Sequence, residues 1–259
     1  MCKGGPQQTY QFRQTRPAVL KNQYFGDIND YRKYGLIRAL QVEAQLKVLV
    51  AWMLTPNDQR RDGELRLYLR KPDRWLQFDP ELYRGLTDLL GTGVTPRVGL
   101  IEESSLLGTA DYFSEIVPDA AVPREAWAGR LLKAASESEF VFLDPDNGLE
   151  VPSRPLGGKG SLKYVYWPEV VAIWEGGASV LIYQHFHRER REMFVPRMVG
   201  ELRERTGAVV EAFRTPRVLF LLASQPKHSR LFVEVLSESV AYGGIRSQQP
   251  ASWLTNLGL

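Results

Sequence analysis

The chain is poor in sulfur, with one cysteine, Cys2, and four methionines among 259 residues. A single thiol cannot form a disulfide within the chain, so a disulfide-stapled scaffold is excluded and a reducing compartment is expected. No apolar run approaches the roughly 20 residues needed to span a bilayer. Residues 1–14 are polar and lack a signal-peptide core. These absences predict a cytoplasmic protein with no membrane partner. A strong charge imbalance is missing too. The 33 basic and 30 acidic side chains leave a net charge of +3, which permits an anionic partner without demanding one. No internal repeat or low-complexity tract stands out, and nothing in the sequence fixes an oligomeric state.

What is present is an ordinary globular composition. Hydrophobic residues make up 44% and charged residues 24%, enough for a large core without metal or disulfide staples. Residues 1–23 read as an irregular arm broken by Pro6 and Pro17. Residues 24–259 read as a single α/β domain. Asn29 or Asp30 can cap a helix running to Ala44, with Tyr34, Ile37, Leu40 and Val42 on its buried face. Residues 46–54 form a nearly continuous apolar run, the pattern of a parallel strand buried on both faces. An insertion, read as a small hairpin, occupies 57–78. Further strands are expected at 97–101, 140–143, 178–183, 208–213 and 218–223. Helices are expected at 80–90, 111–116, 124–136, 167–174, 189–206 and 227–236.

Strands alternating with helices imply a doubly wound, mostly parallel sheet, and the last two strands read as an antiparallel hairpin. Right-handed crossovers then bring the strand C-termini to one edge, where ligands bind. Four loops should converge there: 55–58, 102–103, 144–148 and 184–187.

The strongest local signal is Phe140-Val-Phe-Leu-Asp-Pro-Asp-Asn-Gly148. Pro145 turns the chain off the strand and Asn147-Gly148 supplies a tight turn. Asp144 and Asp146 bring two carboxylates together, suited to holding an amine, binding a metal or acting as a base. Gln184, His185, His187 and Arg188 follow the next strand, and His185 is a candidate metal ligand or base. Glu102 or Glu103 could accept hydrogen bonds from a ribose, as acids do in nucleotide-binding sheets. Gly157-Gly-Lys-Gly-Ser161 fails the phosphate-loop spacing and reads instead as a flexible loop ending at Lys163. The helix at 189–206 is rich in arginine, including Arg190, Arg191, Arg197, Arg203 and Arg205, interleaved with glutamates. Such a face either tracks a phosphate backbone or stays solvated and paired.

Three features resemble class I S-adenosylmethionine-dependent methyltransferases, and most of all the bacterial family that methylates an adenine N6 in large-subunit ribosomal RNA. The segment Gly26-Asp-Ile-Asn-Asp-Tyr-Arg-Lys-Tyr-Gly-Leu-Ile-Arg-Ala-Leu40 resembles that family's N-terminal helix. Leu143-Asp-Pro-Asp-Asn-Gly148 resembles its Asp-Pro-Pro-Tyr motif, and the closing hairpin resembles its reversed last strands. The likeness covers the layout of residues 24–238 and extends to a group of bacterial and phage-type proteins that share these blocks. It implies a Rossmann-like fold and S-adenosylmethionine as cofactor, held by Thr55, Asn57, Asp58 and Glu102. It also implies a nucleic acid or related amine as substrate. Asp144, Pro145, Asp146 and Asn147 would receive the amine, with Lys163, Gln184, His185 and Arg188 on the substrate side.

Two other readings stay open, because the loop 51–58 holds no glycine and Asp146-Asn147 stands where that family has Pro-Tyr. One is a metal-dependent hydrolase or nuclease, with Asp144, Asp146 and His185 holding Mg²⁺ or Mn²⁺. The other is a non-catalytic partner protein on a degenerate methyltransferase fold.

Overall fold

The computed structural model describes residues 25–56, 65–239 and 246–247. The arm 1–23 and the cofactor candidates Asn57 and Asp58 lie outside the described residues. Helix α1 spans Ile28–Ala44 and strand β1 Val48–Ala51. Helices α2 (Pro72–Trp75), α3 (Pro80–Leu89) and α4 (Gly99–Glu102) follow, then β2 (Asp111–Phe113), α5 (Ala121–Ala135) and β3 (Phe140–Leu143). The short strands β4 (Gly148–Leu149) and β5 (Tyr164–Val165) precede α6 (Trp167–Glu175) and β6 (Ser179–His185). The chain continues through α7 (Arg191–Thr206), β7 (Val209–Arg214), β8 (Val218–Ser224), α8 (Pro226–Ser239) and β9 (Arg246–Ser247).

The main sheet has the order β2-β1-β3-β6-β8-β7-β9, and β4 and β5 form a separate parallel pair. Strands β2, β1, β3 and β6 run parallel, with Val50 opposite Phe142 and Phe142 opposite Leu181. Strand β8 runs antiparallel to both β6 and β7. The fold is thus the expected α/β, mostly parallel, Rossmann-like sheet with an antiparallel hairpin. The central strands are buried on both sides and divide their side chains between two cores. Val48, Val50, Phe140, Phe142 and Phe220 face α1, α3 and α8. Leu49, Ala51, Val141, Leu143 and Leu221 face α5, α6 and α7.

Three expectations need correction. Residues 97–101 form no strand: Arg97 clamps Glu103 with two 2.6 Å bonds across a single helical turn, α4. An apolar run of four residues fits a strand or a buried turn equally well. The second strand is Asp111–Phe113, where a helix was expected; it is a half-exposed edge strand with too few apolar residues to announce itself. The described part of the 57–78 insertion is helical rather than a hairpin, with a 3₁₀ turn at Leu67–Arg70 followed by α2. Its Tyr68 and Trp75 are buried beside Tyr31, a tertiary contact with no local periodicity to reveal it.

The cap of α1 is also shifted, to Asp27, whose Oδ1 accepts from the backbone N–H groups of Asn29 and Asp30 at 2.7 and 2.9 Å. The helix is covered on more than one face, because Asp30, Lys33 and Gln41 are buried along with its apolar residues.

Candidate functional site

The chain leaves β1 toward β2 on one side and returns to β3 on the other, so the strand order reverses between β1 and β3. At such a switch point the two loops diverge and leave a crevice. A cavity of about 660 Å³ opens there. Its walls are the loop after β1 (Trp52 to Thr55), the loop Asp144–Asn147, Tyr183 and His185 of β6, and the first turns of α1. The size suits a nucleotide-sized ligand.

Backbone bonds hold the loop after β3 from three sides. Asp144 N–H donates to Ala51 O at 3.0 Å, Asn147 N–H to Lys163 O at 2.9 Å, and His185 N–H to Asn147 O at 3.2 Å. Gln184 is the strut behind the turn: its Oε1 accepts from Leu149 N–H at 2.7 Å and its Nε2 donates to His185 O at 2.7 Å. Gly148 has φ +111°, and a Cβ there would lie 2.3 Å from Gln184 Oε1, so the turn requires glycine.

The charged centre of the cavity comes from α1. Asp27, Asp30 and Lys33 recur every third residue and so share one helix face. Lys33 Nζ lies 2.9 Å from both carboxylate oxygens of Asp144, 3.2 Å from Asp30, and 4.1 Å from the ring centre of Tyr183. Its side chain is 10% exposed. Lys33 thus touches two of three buried or nearly buried carboxylates, with Arg32 also acting on Asp27, and the two partners of the central pair respond differently. Burial alone would lower the Lys33 pKa, but Asp144 and Asp30 overcome this and raise it well above normal. Asp144 must share that ammonium, so burial dominates and lifts its pKa to about 6. Burial and the neighbouring Asp30 lift Asp27 to about 7. The cluster holds more carboxylates than cations.

Two further features aim at the cavity. Asn29, itself 7% exposed, donates weakly to Asp27, and its buried Oδ1 has no hydrogen-bond partner among the described residues. An orphaned buried acceptor costs about 1–3 kcal/mol, a cost that a ligand N–H or O–H would remove. Met53, in the glycine-free loop after β1, takes the left-handed φ of +48°, a conformation that side chains adopt at a cost.

The remaining site candidates divide clearly. Thr55 lines the cavity and donates to Asp146 Oδ2 at 2.9 Å, and Pro145, Asn147, Lys163 and His185 line it as well. Burial, aided by Lys33, lowers the His185 pKa to about 4, so its imidazole is neutral at pH 7. Gln184 is sealed behind the turn and Arg188 is exposed outside the cavity. Glu102 also stays outside, accepting from Trp52 Nε1 at 2.7 Å; it orients the indole that forms the cavity wall. The segment Gly157–Ser161 is tied down by Asp119, which accepts from Gly160 and Leu162 N–H at 3.1 and 2.7 Å. The arginines of α7 are largely engaged: Arg197 pairs with Glu189 and Glu201, and Arg205 covers Trp167.

Asp144, Asp146 and His185 share the cavity but turn to separate partners. Among the described residues, no group of three or more His, Cys, Asp or Glu is arranged to hold a metal ion. No helix there is long and apolar enough to cross a membrane. The residues missed from sequence are Asp27, Asn29, Asp30, Lys33, Trp52 and Tyr183. The signal that could have found the first four is their i, i+3 and i, i+4 spacing, which sets them on one side of the start of α1. Compared with known proteins, the chain matches no family model, no curated protein and no solved structure.

Proposed function

We propose that the cavity binds S-adenosylmethionine and that the protein transfers its methyl group to an amine of a nucleic acid or related compound. The observation that carries this reading is the cation-deficient cluster Asp27, Asp30, Lys33 and Asp144 at the switch point of a sheet whose β8 is reversed. A ligand with a fixed positive charge supplies the missing cation. The fit is supported further by the Asn29 Oδ1 awaiting a donor, by the aromatic walls Trp52 and Tyr183, and by Met53, whose left-handed backbone takes the place of the expected glycine.

When bound, S-adenosylmethionine supplies an electrophilic methyl group on sulfur. The chain's own residues position the acceptor. Asp144, as a carboxylate, accepts an N–H of the incoming amine, and Lys33 keeps that carboxylate ionised near neutral pH. Asn147 closes the same side of the pocket, and the bonds to Ala51 and Lys163 keep the loop rigid. Trp52 and Tyr183 exclude water from the reacting centre. His185, neutral and half-buried, adds no competing positive charge.

The test is calorimetric titration of the protein with S-adenosylmethionine, followed by methyl transfer from labelled cofactor to RNA and DNA oligonucleotides. Micromolar binding, with transfer lost in Asp144→Asn while the fold is retained, supports the reading. Absence of binding heat ends it. Heat with Mn²⁺ that disappears in Asp144→Asn would favour a metal-dependent hydrolase instead.

A further inference from the structure

A second concavity, of about 270 Å³, lies beside the first and shares Leu65 and Arg217 with it. Its lining includes Arg32 of α1, Lys71 and Arg74 at α2, and Arg217 of the β7–β8 turn, with no acidic side chain among its described residues. Tyr68 and Trp75 form its floor. The guanidinium carbons of Arg32 and Arg74 sit 5.7 and 5.5 Å from the Trp75 ring centre. Lys71, Arg74 and Arg217 are exposed and make no ion pair with a described residue. Lys71, Arg74 and Arg217 line one opening, and like charges held together repel one another unless an anion joins them. A planar guanidinium can stack on a ring and also match phosphate geometry, and basic grooves with aromatic side chains bind single strands.

We infer that this groove binds a phosphate group of the substrate, so that a nucleotide held there by Arg32, Lys71, Arg74 and Arg217 presents its base to the adjoining cavity. The inference rests on the methyltransferase reading only for what happens to that base; the phosphate site stands on the groove's own charge and shape. It also separates the two concavities by sign. The inner one is short of a cation and the outer one is short of an anion, which suits a cationic cofactor inside and a polyanionic substrate outside. The state of Arg32 agrees: burial lowers its pKa, Asp27 and Tyr183 oppose this, and Arg217 and Arg74 add to the lowering. The phosphate could belong to a strand or to a free nucleotide, and these two sources differ in their salt dependence.

The experiment measures binding of a single-stranded RNA of about 12 nucleotides and, separately, of adenosine 5′-monophosphate. The proteins are the wild type, Lys71→Glu/Arg74→Glu, the milder Lys71→Ala/Arg74→Ala, and Arg203→Glu on the exposed face of α7 as a charge control. Binding of S-adenosylmethionine and a thermal melt are recorded for each. Expected is a roughly tenfold or greater loss of RNA binding in the double reversal, with a salt slope lower by about 1.4 for two lost contacts. The alanine pair should lose less, and Arg203→Glu should bind within about twofold of wild type. Cofactor affinity and melting temperature should be unchanged. Loss confined to RNA assigns the groove to a strand, and loss for both probes assigns it to any nucleotide. RNA binding that survives the reversal, equal loss in the control, or no binding of either probe by the wild type overturns the inference. If the reversal abolishes phosphate binding but the wild type never binds S-adenosylmethionine, the groove stands and the methyltransferase reading falls.

Discussion

Replacing Lys33 with methionine keeps most of the side-chain volume and removes only the ammonium. In the wild type that ammonium touches both oxygens of Asp144 at 2.9 Å and Asp30 at 3.2 Å. Its loss leaves carboxylates in a largely desolvated cavity without a counter-charge. Removing one member of a buried pair costs about 3–5 kcal/mol. With a urea m-value near 3 kcal/mol/M, the unfolding midpoint should fall by roughly 1–1.7 M at pH 8. The cost depends on pH in a definite direction. Asp144 already titrates above its ordinary 3.8, at about 6, so the folded state holds its proton more tightly than the unfolded state does. Stability from such a group falls as pH rises through that window. Without Lys33 the folded pKa of Asp144 climbs further, so the gap between variant and wild type widens from pH 5 to pH 8. The assay is urea unfolding followed by tryptophan fluorescence at both pH values. Lys33→Met/Asp144→Asn, in which the orphan charge is gone, should recover most of the loss. A loss below about 1 kcal/mol at pH 8, an equal loss at pH 5, or no recovery in the double variant would refute the picture of a buried, overcommitted ammonium.

Affinity for S-adenosylmethionine should rise between pH 5 and pH 8, because Asp144 and Asp27 must lose protons at about 6 and 7 to receive a cation. S-adenosylhomocysteine, which lacks the sulfonium charge, should show a shallower rise by calorimetry; equal slopes would dismiss the charge argument. Gly148→Ala should cost more than about 1 kcal/mol in denaturant unfolding, since it combines a positive φ with a Cβ driven into the Gln184 amide. Arg124→Met should lower stability by about 3–5 kcal/mol, because Arg124 is 1% exposed and holds Glu169 at 2.7 Å. The same variant should leave cofactor affinity unchanged, as this pair lies outside the cavity lining; a coupled loss of binding would show that the two regions communicate.

The legible parts of the sequence are those in which burial is local and continuous. Phe140–Leu143 and residues 218–223 are apolar throughout because parallel or central strands meet cores on both faces. They could be read directly, as could the turn Asp144–Gly148, where proline, asparagine and glycine announce the backbone. The edge strand Asp111–Phe113 could not, because it pairs on one side only and carries one buried residue. Nor could Gln184, whose polar identity suggests a ligand contact but whose amide is spent on backbone groups of a turn distant in sequence.

By itself, then, the sequence determined the central buried strands, the reversed hairpin and the turn that follows β3. Those follow from periodicity and turn chemistry, which act over a few residues. Only the tertiary structure decided what the cavity contains. Lys33 and Asp144 are 111 positions apart, and the ion pair forms because α1 lays the face that carries Asp27, Asp30 and Lys33 across the switch point. The same packing removes water from Asp27 and Asp144 and gathers Arg32, Arg74 and Arg217 around a second opening. Charge depends on distance and on the solvent excluded between groups, and both are set by how the elements pack rather than by their order along the chain.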